Sequence, residues 1–518
     1  MKKIFAFFTI FTILISGTPS VAAGDAYNPL TIPLNSGQAK LGTVEYVVEG
    51  GGIQNSTFIA ITPTNTPTGG ESRVWKWCTG LDDPICDPRI GTYGLSALSV
   101  LGPCLTATQE NCIDSLAIGT DSSNLADAKL IRTTGGDSFA PNPQYNYPGS
   151  STISLWNVPG TSTNYAVTST YHLWFQRDKF KVTDFYADVT PYREKTGPYK
   201  DYKVDTDPNV KAEDRFAKNS TPGYWSCVFA ENGICGVAQD MPENTRIKLK
   251  LRLSTDVGGW FQGRIQDPIL DAKPFSPTNN LITIDASNVS VPRLVYPTFK
   301  EDMPSQEKDW FSKNGTWPAT SGQGTGPQAG HPQDSFPFIA YFRDKVKDTA
   351  SAVNHFWNVT TTSYGNGSQC LQDKSKVLGI VTTNAMAYDG TSPSFIDDSL
   401  DYHVSGLHFM PDGTTPVQGS YNLVMRSETA RCLYGFTSAP IRATISIVGA
   451  ENSPIATVVT GEKNGWLTLS ANGFTFSEKT LKVKISQDKA VAKQITCVKG
   501  KVSKVVKSIT CPSGYKKK

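Results

Sequence analysis

The sequence predicts a mainly β protein: several disulfide-braced, antiparallel β-sandwich-like modules followed by a small basic C-terminal hairpin. Three observations carry this expectation. From Arg246 to Leu253 the residues alternate without a fault, with Ile247, Leu249, Leu251 and Leu253 on one side and Arg246, Lys248, Lys250 and Arg252 on the other. That period of two describes a half-buried strand with a solvated cationic face. The composition, with 44 Gly, 33 Pro and abundant Thr, Ser and Val, favours many short strands joined by turns. Ten cysteines, an even number, show a repeated spacing: Cys78 and Cys86, Cys104 and Cys112, and Cys227 and Cys235 each enclose seven residues. Such spacing is what local bridges across hairpins or tight loops leave behind. A metal cluster needs ligands two to four residues apart or Cys-His sets, and the sequence offers neither. Each short loop is worth about 2.5 kcal/mol in the loop-entropy picture.

At the N-terminus, Lys2 and Lys3 lead into an apolar run from Ile4 to Ile15 and then small residues up to Val21-Ala22-Ala23. Residues 1–23 therefore read as a secretory signal peptide cut after Ala23. The run is too short for a membrane span, and no later stretch reaches the ~20 apolar residues a spanning helix needs. The remaining chain, about 495 residues, has room for two to four domains at ~100–200 residues each. Its formal charge of +3 is small for this size, so the overall field points to no nucleic-acid partner.

Residues 24–300 are expected to form an N-terminal β region, divisible into two modules near 125–170. It contains strands at Gly42–Val48 and Thr57–Ile61, one at Ser151–Val158 within a polar stretch, and one or two long strands over Tyr171–Val189. Trp75 and Trp77 stand two apart, which puts both rings on one face of a strand. They can stack on a sugar there; the favoured reading is that they cover the adjacent Cys78–Cys86 loop. Trp174 and Trp260, each opening a Trp-Phe-Gln triplet, are further stacking candidates. Lys195–Gly223 reads as a surface excursion, Leu281–Val291 as another strand, and residues 301–335 as a linker or long loop.

Residues 336–488 are expected to form a C-terminal β-sandwich-like domain. Its strands begin with Phe336–Phe342 and continue through Val377–Ala385, His403–Met410, Tyr421–Arg426, Ile441–Gly449, Ile455–Thr460, Trp466–Ser470 and Thr480–Ile485. Cys370 and Cys432 are its only cysteines and should pair, contributing about 4 kcal/mol for so long a loop. Residues 489–518 form a separate basic tail. Ile-Thr-Cys occurs twice, ending at Cys497 and Cys511, as in a stapled hairpin, and no acidic residue follows Asp488. Lys499, Lys501, Lys504, Lys507, Lys516, Lys517 and Lys518 make a cationic knob suited to tethering on an anionic cell-envelope polymer or surface glycan, or else to simple solvation.

The ending CVKGK…CPSGYKKK resembles the short lysine-rich terminus carried by many exported proteins of actinobacteria. The stretches Gly258–Pro268 and Tyr421–Ala450 are similar to a group of large exported actinobacterial proteins with no assigned activity. The resemblance implies export and a surface location, and it brings no catalytic residues.

Catalytic motifs are not evident. There is no G-x-S-x-G elbow, no H-E-x-x-H, no phosphate loop and no dinucleotide fingerprint. Of five histidines, His172, His331, His355, His403 and His408, the last two are five apart on an expected strand and should face opposite ways. No cofactor is expected, although two carboxylate clusters, Asp82, Asp83 and Asp87, and Asp397, Asp398 and Asp401, are candidates for calcium. The expected function is thus a non-enzymatic exported surface, adhesion or binding protein. The alternative is a polysaccharide-binding or polysaccharide-acting one.

Overall fold

A computed structural model describes the chain from Leu41 onward; residues 1–40, 46–57, 64–75, 88–92, 198, 200–205, 212–226, 300–304, 306–322, 326–331, 437–440, 449–456, 477–478, 488–493, 501 and 508–510 lie outside the described residues. The N-terminal leader expected from the sequence falls among these. The fold is mainly β, with two α-helices, Pro332–Arg343 and Ser427–Tyr434, among the described residues.

A fifteen-stranded sheet forms the spine. Along its path lie Thr457–Lys463, Trp466–Thr475, Gln418–Arg426, Val377–Thr383, Gly259–Arg264, Asn358–Thr362, Lys179–Thr196, Asn164–Gln176, Tyr93–Val100, Phe58–Pro63 and Lys76–Cys78. All neighbours on this path are antiparallel except Gly259–Arg264 with Val377–Thr383. Strands from both sides of the 301–335 stretch thus share one sheet: Gly259–Arg264, from the first half, sits between two strands of the second.

Two five-stranded sheets cover this spine. The first runs Gln266–Pro274, Asn279–Ser287, Arg246–Ser254, Cys112–Gly119, Leu125–Asp127. Its Ile247, Leu249, Leu251 and Leu253 are fully buried against Val167, Leu173, Phe185 and Phe261 of the spine. The second contains Ala387–Tyr388, Ser399–Ser405, Lys479–Gln487 and Ile441–Val448, with Ser394–Ile396 added beside Ser399–Ser405. It packs Tyr402, Val404, Leu481 and Val483 against Tyr421, Leu423, Met425 and Leu469.

Alternation decides which cover a spine residue meets. Trp260, Val381, Leu423 and Met425 belong to the core under the second sheet, while Phe261, Ile380 and Val424, their immediate neighbours, belong to the core under the first. Successive side chains leave a strand on opposite faces, so the two covering sheets grip opposite faces of the same central strands. That explains why Val377–Thr383 and Tyr421–Met425 are buried at every position and read as continuous runs rather than alternating ones.

Several expected elements take another form. Phe336–Phe342 lies in the Pro332–Arg343 helix, where Ser335, Phe338, Ile339 and Phe342 fall at helical spacing and are fully buried. A short unbroken apolar run does not distinguish strand from helix, and Pro337 lies inside the helix, on its exposed side, where its missing N–H removes one helical hydrogen bond. Of the one or two long strands expected over Tyr171–Val189 there are two, Asn164–Gln176 and Lys179–Thr196, in a hairpin turned by Arg177 and Asp178, both at positive φ as a type I′ turn requires. Residues 125–170, expected to hold one strand, contribute Leu125–Asp127, Lys129–Thr133 and Ser154–Asn157 besides the start of that hairpin. Within 301–335, Gln323–Thr325 pairs with Leu41–Glu45, which also pairs with Val295–Phe299.

The cationic face of Arg246–Ser254 is only partly solvated, through the half-buried Lys248 and Lys250. Arg246 and Arg252 are both buried, the first ion-paired to Asp285 at 2.6 Å and the second to Asp114 at 2.6 Å. Neighbouring strands supply the carboxylates and the Cys104–Cys112 loop adds backbone carbonyls, so the guanidinium groups are matched rather than hydrated.

The cysteines join as Cys78–Cys86, Cys104–Cys112, Cys227–Cys235, Cys370–Cys432 and Cys497–Cys511, with Cα separations of 5.0–6.0 Å, and none is free. Cys227–Cys235 closes a hairpin of Cys227–Glu231 and Ile234–Ala238 through an Asn232-Gly233 turn.

Candidate ligand grooves and basic terminal sheet

The first covering sheet is narrower than the spine. Its edge strand, Gln266–Pro274, ends over the Gln418–Arg426 strand, and beyond that edge the same face of the spine continues on Trp466–Thr475. The result is a groove of about 810 Å³. Most of its floor is one face of one strand, with Val424 of the neighbouring strand beside it: Trp466, Thr468, Ser470 and Asn472 line it, while Leu467, Leu469 and Ala471 point into the core below and are fully buried. One wall is the edge strand, with Asp267, Ile269 and Asp271; the other carries Lys463 and Asn464, and the Thr120–Ser122 turn closes one side. Ile269 is 55 % exposed, an apolar side chain presented to the groove.

The floor is polar and already organised. Ser470 donates to Asn422 Oδ1 at 2.8 Å, and Asn422 Nδ2 donates to Thr382 Oγ1 at 3.2 Å. The Trp466 ring carries the Arg426 guanidinium at 4.7 Å. At the side, Asp121 accepts from the side chains and backbone N–H groups of Ser123 and Asn124, and these bonds hold its carboxyl down at about 2. Sequence reasoning missed this site. The available signal was the alternation in WLTLSAN, in which Trp, Thr, Ser and Asn take turns with Leu, Leu and Ala.

A second groove, of about 670 Å³, lies between the Cys104–Cys112 loop and the proline-rich segment around Pro141–Ser151. Glu110 and Asp256 line it. Glu110 is engaged by the hydroxyls of Ser276 and Thr278.

The tryptophans proposed as sugar platforms are dispersed. Trp75 lies outside the described residues, Trp77 is half-buried on the edge strand Lys76–Cys78, and Trp174 is 38 % exposed at the end of its strand. Trp260 is removed from consideration as a platform: it is 1 % exposed, with Nε1 donating to Leu371 O at 3.0 Å. A buried indole needs such an acceptor, and this one sits beside Cys370.

Three histidines form a recurring arrangement. In each, one aspartate accepts from both the histidine backbone N–H and the ring Nδ1: Asp240 with His355, Asp389 with His403, and Asp348 with His408. His408 lies past the end of Ser399–Ser405, so the expected placement of His403 and His408 on opposite faces of one strand does not apply. The Asp240 bond raises the His355 pKa against partial burial. His172 is shifted the other way by burial, and His331 lies outside the described residues. Close to His355, a cleft with room for about one water is lined by Asp188, Thr190 and Gln239. Burial pushes the Asp188 carboxyl up to about 6 against hydrogen bonds from Thr190 and Tyr186.

The two acidic clusters have local work. Asp83 accepts from Thr79 N, Thr79 Oγ1 and Ile85 N, capping the turn Pro84–Cys86. Asp397 and Asp398, both at positive φ, turn the hairpin between Ser394–Ile396 and Ser399–Ser405, and Asp401 pairs with Lys482 at 2.6 Å. Among the described residues, no group of three or more His, Cys, Asp or Glu side chains converges as a metal site.

The basic tail is a three-stranded sheet with Gln494–Lys499 in the middle, flanked by Val502–Lys507 and Lys516–Lys517. Lys504 and Lys517 both stand opposite Cys497, whereas Lys507 stands opposite Gln494 and Lys516 opposite Val498. Residues directly across a pair share a face, so cations occupy both faces. Lys499, Lys504, Lys516, Lys517 and Lys518 are exposed, as are Val502 and Val505; Lys501 and the side chain of Lys507 lie outside the described residues. Among the described residues, no helix is long and apolar enough to cross a membrane. The chain matches no protein-family model and no curated protein.

Proposed function

We propose that this is an exported, non-enzymatic binding protein of the cell surface, held on an anionic envelope polymer by its C-terminal sheet. The observation that carries the reading is the placement of Lys499, Lys504, Lys516, Lys517 and Lys518, all exposed on a small disulfide-closed sheet. Acidic residues do not occur after Asp488, so these charges are not offset within the tail. A rigid platform presenting cations on both faces is suited to a flexible polyanion that can wrap it. Five disulfides and the leader-like residues 1–23 support an oxidising, extracytoplasmic setting. The choice of binder over enzyme rests on the sequence, which holds none of the hydrolase or nucleotide motifs sought.

The test is retention on immobilised polyphosphate as salt is raised, with a variant carrying Gln at those five lysines. Retention of the native protein that weakens steeply with salt, and is lost in the variant, supports the proposal. Equal retention of both proteins refutes it.

A further inference from the structure

The geometry points to the groove over Trp466–Thr475 as a binding site for a neutral, hydroxyl-rich oligosaccharide, independent of the basic tail. The volume of about 810 Å³ is in the range of ligand sites rather than of packing defects. More informative is the change in side-chain chemistry along one face of the spine. Under the covering sheet that face carries Phe261 and Ile380, and at the covering edge, where the groove begins, Val424. Past the covering edge it carries Thr468, Ser470 and Asn472, while the opposite, core-facing positions of the same strand stay apolar.

Hydroxyl and amide side chains both donate and accept, as sugar hydroxyls do, and a regular strand presents them in a fixed row. Ile269, 55 % exposed on the facing wall, offers an apolar surface for the C–H face of a sugar ring.

Charge narrows the ligand class. Asp121, Asp267 and Asp271 face the groove; Asp271 is paired to Lys273 at 2.6 Å, and Asp121 is ionised at any ordinary pH because its carboxyl sits at about 2. Of the cations, Arg246 is committed to Asp285 at 2.6 Å, which leaves Lys463 at the rim. A net acidic groove rejects polyanions, the ligand class suited to the tail, and its carboxylates are good acceptors for paired sugar hydroxyls. The two sites therefore call for different polymers.

The test is binding of the full chain to an array of neutral oligomers of glucose, mannose, galactose and xylose, with anionic oligosaccharides alongside. Two variants are measured, Ile269→Arg, which fills the groove from an exposed position, and Thr468→Val, which removes one hydroxyl without changing shape. A variant lacking residues 494–518 separates this site from the tail. The expected result is binding to a neutral oligomer that is insensitive to salt and unchanged by loss of the tail. Ile269→Arg should weaken it roughly tenfold or more, and Thr468→Val by about fivefold, with the thermal midpoint unchanged. Absence of binding to every neutral oligomer overturns the proposal. So does binding that survives Ile269→Arg, or that is confined to anionic oligosaccharides and lost with the tail.

Discussion

Arg252 and Asp114 stand on adjacent strands with two guanidinium nitrogens on one carboxylate oxygen, Nε at 2.8 Å and Nη2 at 2.6 Å. The remaining nitrogen, Nη1, donates to the carbonyls of Thr106, Ala107 and Gln109, all within the Cys104–Cys112 loop, and the guanidinium lies 4.3 Å from the Phe275 ring centroid. One side chain thus fastens a disulfide loop to the covering sheet. Replacing Arg252 with Ala should cost about 3–5 kcal/mol in urea denaturation, because a poorly solvated carboxylate and three carbonyls lose their donor together. Arg252→Lys should recover little, since a single ammonium cannot reach all of these acceptors at once.

Asp188 predicts a pH dependence at the acid end. Its folded pKa, about 6, is above the ordinary 3.8, so the folded protein binds more protons than the unfolded one between those values. Stability should therefore fall as pH rises from ~4 to ~6 and stay lower above. Asp188→Asn should remove this slope and stabilise the protein by up to about 3 kcal/mol at neutral pH. Denaturation midpoints across that range decide it; a variant no more stable than the native protein at neutral pH would refute the assignment.

His355 gives a second window. Its bond to Asp240 raises the folded pKa above 6.5, so this contribution is complete below the unfolded value and disappears as pH climbs through the folded one. His355→Gln should flatten the stability profile on the alkaline side of ~6.5 and leave the Asp188 window intact. Persistence of the alkaline slope in that variant would assign it to another group.

The disulfides should differ in worth by loop length. Replacing both Cys370 and Cys432 with Ser should cost about 4 kcal/mol, against about 2.5 kcal/mol for Cys78 with Cys86. The longer bridge ties the Gln369–Leu371 turn, whose Leu371 carbonyl receives the Trp260 indole, to the Ser427–Tyr434 helix. Paired denaturation curves of the two double variants test the order.

Much of the β architecture was legible because local patterns carry it. Arg246–Ser254 alternates, and the first three next-neighbour cysteine pairs enclose equal loops. The Phe336–Phe342 run was not legible, since its helix is set by what Phe338, Ile339 and Phe342 pack against rather than by a period visible in seven residues. Nor was the fate of Arg246 and Arg252. A charged face is solvated unless some distant segment covers it, and here Asp285 and Asp114 arrive from neighbouring strands.

By itself the sequence determined a turn-rich β chain, its cysteine partners and the concentration of lysines at one end, because propensity, spacing and charge act over a few residues. Only the tertiary structure decided that strands from both halves share one sheet, that Trp260 is core and that Trp466, Thr468, Ser470 and Asn472 border open space. Those outcomes depend on where the edge of one sheet falls across another, a relation between segments about 200 residues apart that no local pattern encodes.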